Sequence, residues 1–330
     1  MRPTTGPSVP AFGRAMVFFV ARDEETTMDA SATSPTPTRL RVFDHGGWAL
    51  PWRVAQAEGD FAAEGLDVEI LAWDPSPQVQ AAGTANLQTA EKESKFAAGQ
   101  VDVYGACEWG LIKRIADLGV GRIMGMRRNM GMPMKLFVMP ASGVTEIGQL
   151  AGRPVAINEN SGSHYVAVEV MEQYMPRDQI NLVHIGEPPA RYQALVEGRI
   201  AGAFILEPYS TLAEIQGARC LASYPGRGGV VVGESLPPEV QERFRRAVSR
   251  AVERLNADPE RYKEYLVGPL ARSGIAPELI AQVRERLVMP RYDAPEAYEE
   301  DAFAECYDWM RDRAMIRDGV AYRDVVLSEK

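Results

Sequence analysis

The stretch Leu150–Ala167, LAGRPVAINENSGSHYVA, sets the narrowest limits on how this chain folds. Gly152-Arg153-Pro154 makes a turn, and Val155-Ala156-Ile157 is a short apolar run of the kind that forms a buried strand. Small polar residues fill Asn158–Ser163, and a helical period starts at Tyr165 and runs through Val166, Val170, Met171 and Tyr174. A strand that passes through such a loop into a helix presents unsatisfied first-turn N–H groups and a favourable dipole potential to an anion or another hydrogen-bond acceptor. Loops of this kind are common in α/β proteins, so the unit marks a candidate site and the rest of the chain decides its use.

The alternation recurs on both sides of it. Arg39–Phe43 reads as a first strand ending in the glycine turn Asp44-His45-Gly46-Gly47-Trp48, and Leu50–Glu58 as a short helix. Val68–Leu71 is a second strand, the polar Ser76–Ala90 is expected at a cleft, Glu91–Ala98 is helical, and Val101–Tyr104 is a third strand running into Gly105-Ala106-Cys107-Glu108-Trp109. A helix over Leu111–Leu118 leads to strands at Arg122–Met126 and Met134–Met139, and Thr145 is placed to cap a helical turn over Thr145–Leu150. Beyond the central loop come strands at Ile180–His184 and Gly198–Leu206 with a helix over Pro188–Glu197 between them. From Pro237 onward amphipathic charged helices dominate, at Glu239–Leu255, Glu260–Val267, Pro277–Leu287 and Glu299–Arg313. The pattern predicts an α/β protein with mostly parallel sheets.

With 330 residues, 46% of them hydrophobic, the chain can bury a full core and is expected to form two lobes. A net charge of -9 argues against nucleic acid or an anionic membrane as the main partner, while leaving room for a small anion in a local pocket. Cys107, Cys220 and Cys306 have no paired metal spacing and cannot close a disulfide set. Three histidines, His45, His164 and His184, make a histidine-built zinc site improbable, and with neither a GxGxxG start nor a cysteine cluster no metal or redox cofactor is expected. Residues 1–38 read as an unstructured leader, with the low-complexity SATSPTPT at Ser31–Thr38. Within it, Ala15–Ala21 follows Arg14 like a short secretory signal, but Arg22, Asp23, Glu24 and Glu25 come directly after, and Met28 is an alternative start. A cytoplasmic location follows if this is no signal and an extracytoplasmic one if it is. No segment has the length of a membrane span.

These features together resemble the NMT1/THI5-like group of the type II periplasmic-binding-protein fold. The resemblance is carried by Trp48-Ala49-Leu50-Pro51 after the first strand, AQAEGDFAAEGLDV at Ala55–Val68, LAGRPV at Leu150–Val155 and LVEGRI at Leu195–Ile200. Glu207-Pro208, Trp309-Met310 and Tyr322–Val326 add to it, so that it covers the chain from about residue 39 to the end. It implies two α/β lobes with a ligand cleft between them: residues 39–138 and 222–330 in the first, with the C-terminal helices, and residues 139–221 in the second. The group contains solute-binding components of ABC importers, which take sulfonates, nitrate, riboflavin or thiamine-pyrimidine precursors. It also contains cytoplasmic enzymes, a thiamine-pyrimidine synthase and a sulfinate desulfinase. The fold therefore leaves function open. One reading is a binder of a small organic anion or heteroaromatic molecule that hands it to an ABC importer permease. The alternative is a cytoplasmic enzyme with desulfinase-, decarboxylase- or hydrolase-like chemistry, and a ligand sensor or scaffold is a third.

Particular residues carry these readings. His45 ends the first strand, where open α/β sheets place ligands, and it can hydrogen-bond a ligand or serve as an acid–base group; it is equally a turn residue on a solvated rim. Cys107 follows the third strand and would face the cleft; were the protein an enzyme, Cys107 with His45 and His164 would be its catalytic candidates, with Arg127 or Arg128 beside them. The first-strand turn holds no cysteine, unlike that of the desulfinase. Lys92 and Lys95, among Glu91 and Glu93, read as a solvated i,i+3 and i,i+4 charge set. The expected ligand-binding set is His45, Trp48, Cys107, Trp109, Asn160, Ser161, Ser163, His164, Glu207 and Tyr209, with Trp73 a further aromatic candidate. Ser163 could instead cap its helix, and the tryptophans could be ordinary core.

Overall fold

The computed structural model describes residues 36–44, 46–72 and 87–327. Two five-stranded sheets organise them. The first has the order β2-β1-β3-β10-β4, built from β1 (Thr38–Asp44), β2 (Leu66–Ala72), β3 (Val103–Cys107), β4 (Arg122–Arg127) and β10 (Gly228–Val232). The second has the order β7-β6-β8-β5-β9, from β5 (Met134–Val138), β6 (Val155–Ile157), β7 (Leu182–His184), β8 (Gly202–Ile205) and β9 (Arg219–Tyr224). Helices pack against both, giving the two-lobed α/β architecture.

The sheets are mixed rather than mostly parallel. β1 pairs in parallel with β2 and β3, and β6 with β7 and β8, but β10 runs antiparallel to β3 and β4, and β5 antiparallel to β8 and β9. The reason lies in the two crossings between sheets, at residues 128–133 and 225–227. Each leaves one sheet at the carboxyl ends of its parallel strands and enters the other at the same end, so the next strand must run back against its neighbours. As a result Met134–Val138, grouped with the first lobe on sequence, pairs in the second sheet, and the two strands at Arg219–Tyr224 and Gly228–Val232 appear where no strand was expected.

Glycine makes β10 possible as an inner strand. A Cβ at Gly228 would lie 2.2 Å from the Ala106 carbonyl oxygen, and one at Gly229 would lie 2.3 Å from that of Gly125. Only a residue without a side chain fits at such an approach.

The long helix Pro238–Ala257 packs against the short helices Leu50–Ala57 and Asp60–Ala63. Its Phe244 is fully buried, stacked 5.3 Å from Phe61 and edge-on 6.1 Å from Trp52. Arginines along one side of the helix clamp the turn at Asp60–Glu64: Arg250 reaches Glu64 at 2.6 Å and Arg246 reaches the same carboxylate at 2.6 Å. No helix among the described residues is long and apolar enough to cross a membrane.

Candidate functional site

Asp44, Cys107 and Arg127 are among the carboxyl ends of the parallel strands in the first sheet, and in the second β6 leads into Asn158 and β7 towards Glu187. These ends approach each other. A Cβ at Gly162, the first residue of the helix Gly162–Met171, would sit 3.2 Å from Cη2 of Trp48 and 3.4 Å from Cβ of Cys107. The Arg114 guanidinium, on the helix Glu108–Leu118, donates to the Asn160 carbonyl at 3.1 Å and pairs with Glu93 at 2.6 Å. The two lobes thus meet where Trp48, Cys107 and Arg114 face the Asn158–Ser163 loop.

That loop is held by its own neighbours. The Asn158 N–H donates to Ser163 Oγ at 2.8 Å, the Glu159 N–H to His184 Nδ1 at 3.0 Å and the Asn160 N–H to His164 Nδ1 at 3.2 Å. Ser161 Oγ donates to the Asn158 carbonyl at 2.7 Å. Asn160 adopts a positive φ of 56°, which an asparagine tolerates better than most residues. The two serines and His164 therefore shape the loop, and burial lowers the His164 pKa. Ser163 is buried and bonds the loop rather than capping its helix. The main-chain N–H groups of Gly162 and Ser163 accept no such duty; among the described residues neither has an acceptor. They are the open donors of a ten-residue helix whose N-terminus meets Trp48 and Cys107.

Beside Cys107 lies a residue expected on a solvated face. Lys92 is buried, only 4% exposed; its Nζ lies 3.3 Å from the Gly105 carbonyl and 5.0 Å from the centre of the Tyr104 ring. Burial, followed by the Arg114 charge, pushes the Lys92 ammonium well below its ordinary range, and Cys107, Glu93 and Glu187 act against this. The physical reason is the helix Leu87–Ala97: Phe96, one turn from Lys92, packs edge-on against Tyr104 at 4.8 Å and turns that face inward. Lys95, on the other side, forms the expected i,i+4 pair with Glu91. Phe96 was the signal in the sequence that could have placed Lys92.

Glu187 faces this group from the second sheet, accepting from Asn158 Nδ2 at 2.7 Å; burial raises its pKa, opposed by Arg191, Asn158 and Lys92. Neither Lys92 nor Glu187 stood among the expected site residues. Among the described residues, Asn158 Oδ1 and the Tyr104 hydroxyl are buried without a hydrogen-bond partner. The Cys107 thiol is pushed up by burial, against the influence of Arg114 and of the Gly110 N–H.

Other expected residues are placed elsewhere or already engaged. His45 and Trp73 lie outside the described residues. Trp109 is buried, stacked 5.7 Å from Tyr165 and flanked by Tyr224 and Trp309, in an aromatic cluster that joins the two sheets to the C-terminal helix Glu300–Arg311. Glu207 accepts from Thr211 Oγ1 at 2.7 Å and from Lys135 at 3.4 Å, and the Tyr209 hydroxyl donates to Ser273 Oγ at 2.7 Å. A separate groove of about 400 Å³ sits at the opposite end of the first sheet, lined by Arg41, Phe96, Asp102, Gly121 and Glu234. Its charges are internally paired, Arg41 with Asp102 at 2.8 Å and Arg122 with Glu234 at 2.5 Å.

No protein-family model matches the sequence, and no curated protein does. Solved structures do. The alkanesulfonate-binding protein SsuA from Xanthomonas axonopodis pv. citri, bound to MOPS, is similar with a TM-score of 0.67 at 16% identity, over 89% of this chain and 99% of that one. The Candida albicans CA3427 gene product, described as having the generic periplasmic binding protein fold, gives a TM-score of 0.60 at 11% identity over 86% and 92% of the two chains. The desulfurization enzyme DszB gives 0.56 at 15% identity over 88% and 97%. At these identities the likeness is one of fold, and the chain has the two-lobed fold of the periplasmic binding proteins.

Proposed function

We propose that this protein binds a small organic anion, a carboxylate or sulfonate with an apolar or aromatic body, between its two sheets. In this reading it is a solute-binding protein related to the NMT1/THI5-like group that passes its ligand to a membrane permease. The observation that carries the reading is the pair of open N–H groups at Gly162 and Ser163, set against Trp48 and Cys107 beside the buried Lys92. An acid oxygen on those donors gains charge-assisted hydrogen bonds, the helix dipole and the ammonium, while the indole covers the ligand body. Likeness to a sulfonate binder supports the ligand class.

The enzymatic reading has less support. A thiol raised by burial is protonated near neutral pH, and a protonated thiol is a poor nucleophile. The deciding experiment is isothermal titration of the purified chain with benzoate and benzenesulfonate, together with native mass spectrometry of the protein as isolated. Saturable binding with recovery of intact ligand supports the proposal. Absence of binding by any organic acid, or release of a cleaved product, overturns it.

A further inference from the structure

A second cation lies near this cleft with even fewer partners than Lys92. Arg127, the last residue of β4, is 1% exposed, and among the described residues its Nε and Nη1 have no hydrogen-bond partner while Nη2 reaches only the Trp48 carbonyl, at 3.4 Å. Through the register of β10, Arg127 lies two strands from Cys107, about 10 Å across the sheet at ~4.8 Å per strand. Its main chain therefore stands level with the site at the same carboxyl ends, with Trp48 tied to both Arg127 and Gly162.

The buried charges near the cleft do not balance. Arg114 is matched by Glu93, and Arg191, which donates to the Phe204 carbonyl at 2.7 Å, acts on Glu187. Lys92 and Arg127 remain. Among the described residues the groups that face Arg127 are the Trp48 carbonyl, Tyr292, whose hydroxyl donates to the Gly47 carbonyl at 3.0 Å, and Asp293, whose carboxylate accepts the Asn129 N–H at 2.8 Å. Asp293 influences the guanidinium without bonding it. A buried guanidinium with two unused nitrogens is expensive unless something supplies acceptors in the working state of the protein.

We infer that the ligand carries two acidic groups, one held at Gly162, Ser163 and Lys92 and the other at Arg127, with its body against the Trp48 indole. This rests on the proposed binding function and narrows it to small dianionic acids such as dicarboxylates or sulfo-carboxylates. Arg127 is then a specificity residue: its burial cost is recovered only by a ligand with a second anionic end.

The test is a comparison of 4-sulfobenzoate with benzoate and benzenesulfonate by titration calorimetry, on the unaltered chain and on Arg127→Met and Arg127→Lys. The quantity read is the affinity ratio of the dianion to the better monoanion. The inference expects a ratio of at least about tenfold in the unaltered chain, falling to about one in Arg127→Met and partly restored in Arg127→Lys. A ratio near one in the unaltered chain overturns it, as does a ratio unchanged by Arg127→Met. Should Arg127→Met not fold, the unaltered chain and Arg127→Lys still decide: a guanidinium fork replaced by a point charge must lower the ratio. Binding of monoanions with no dianion preference defeats this inference and leaves the binding function standing, whereas binding of no acid at all defeats both.

Discussion

The guanidinium of Arg114 donates to the main-chain carbonyl of Asn160 at 3.1 Å, so that a helix of the first sheet holds the loop of the second across the cleft. The same side chain is the 2.6 Å partner of Glu93. One arginine thus ties the loop that presents Gly162 and Ser163 to the helix that carries Lys92.

Arg114→Met should cost about 2–3 kcal/mol of folding stability, because it removes a charged hydrogen bond and strands a partly buried carboxylate. It should also raise amide exchange at Asn158–Ser163 well above that of the helix core behind it. Urea denaturation gives the first quantity and hydrogen exchange the second. A variant with unchanged loop protection would show that the contact holds nothing in place.

Gly162→Val tests closure. A Cβ at this position already stands 3.2 Å from Trp48 and 3.4 Å from Cys107, and valine adds two methyls there. At a helix N-terminus valine costs little in propensity, on the order of a few tenths of a kcal/mol. The expected result is a melting temperature within a few degrees of the parent, a larger radius of gyration by solution scattering and an anion affinity lowered by more than about tenfold. A full loss of folding would instead mark Gly162 as a core position.

The fold was legible where local signals agreed with the tertiary structure. The strand Val155–Ile157 and the helix Pro188–Val196 follow from apolar runs and a proline start. β9 and β10 were not legible, because RCLASYPGRGGVVV reads as a glycine-rich turn. The glycines that weaken its strand character are the ones the inner-strand packing requires, and that close approach of Ala106 and Gly125 is a fact of the sheet rather than of the sequence window. The candidate site, which remains a proposal, was half readable from sequence for a similar reason. Its loop and Trp48 follow from strand ends, whereas Lys92 looked like one of several surface charges until Phe96 fixed which face of its helix is inward. Glu187, at the start of a helix and the end of a strand, becomes visible only once β7 lies next to β6.

Cysteine reactivity separates binding from covalent catalysis. Cys220 is exposed, while Cys107 and Cys306 are buried, and desolvation raises all three thiols. Iodoacetamide at pH 7.5 should modify Cys220 first and leave Cys107 largely intact over the same period, as read by peptide mass spectrometry. Cys107→Ser should keep anion affinity within about threefold. Preferential modification of Cys107 would revive the nucleophile reading.

The pH dependence of binding follows from Lys92 and Glu187, and both push the same way. Burial holds the empty-state Lys92 below its ordinary 10.5 and raises Glu187 above its ordinary 4.5. An anion placed between them favours the proton on each, so binding takes up protons in the range between each group's empty-state and ligand-bound values. Affinity therefore falls as pH rises through those ranges and is flat below both. Calorimetry in buffers of different ionisation enthalpy reads the uptake directly. For the empty protein the Lys92 sign is separate. The unfolded chain binds more protons than the folded one between the lowered value and 10.5, so that lysine makes stability rise with pH across this window. Lys92→Met should remove that slope, raise stability near neutral pH by about 1–2 kcal/mol by relieving a buried amine, and cost at least about tenfold in anion affinity. A variant with lower stability and unaltered anion affinity would place Lys92 in the core as a structural residue and take the ammonium out of the site.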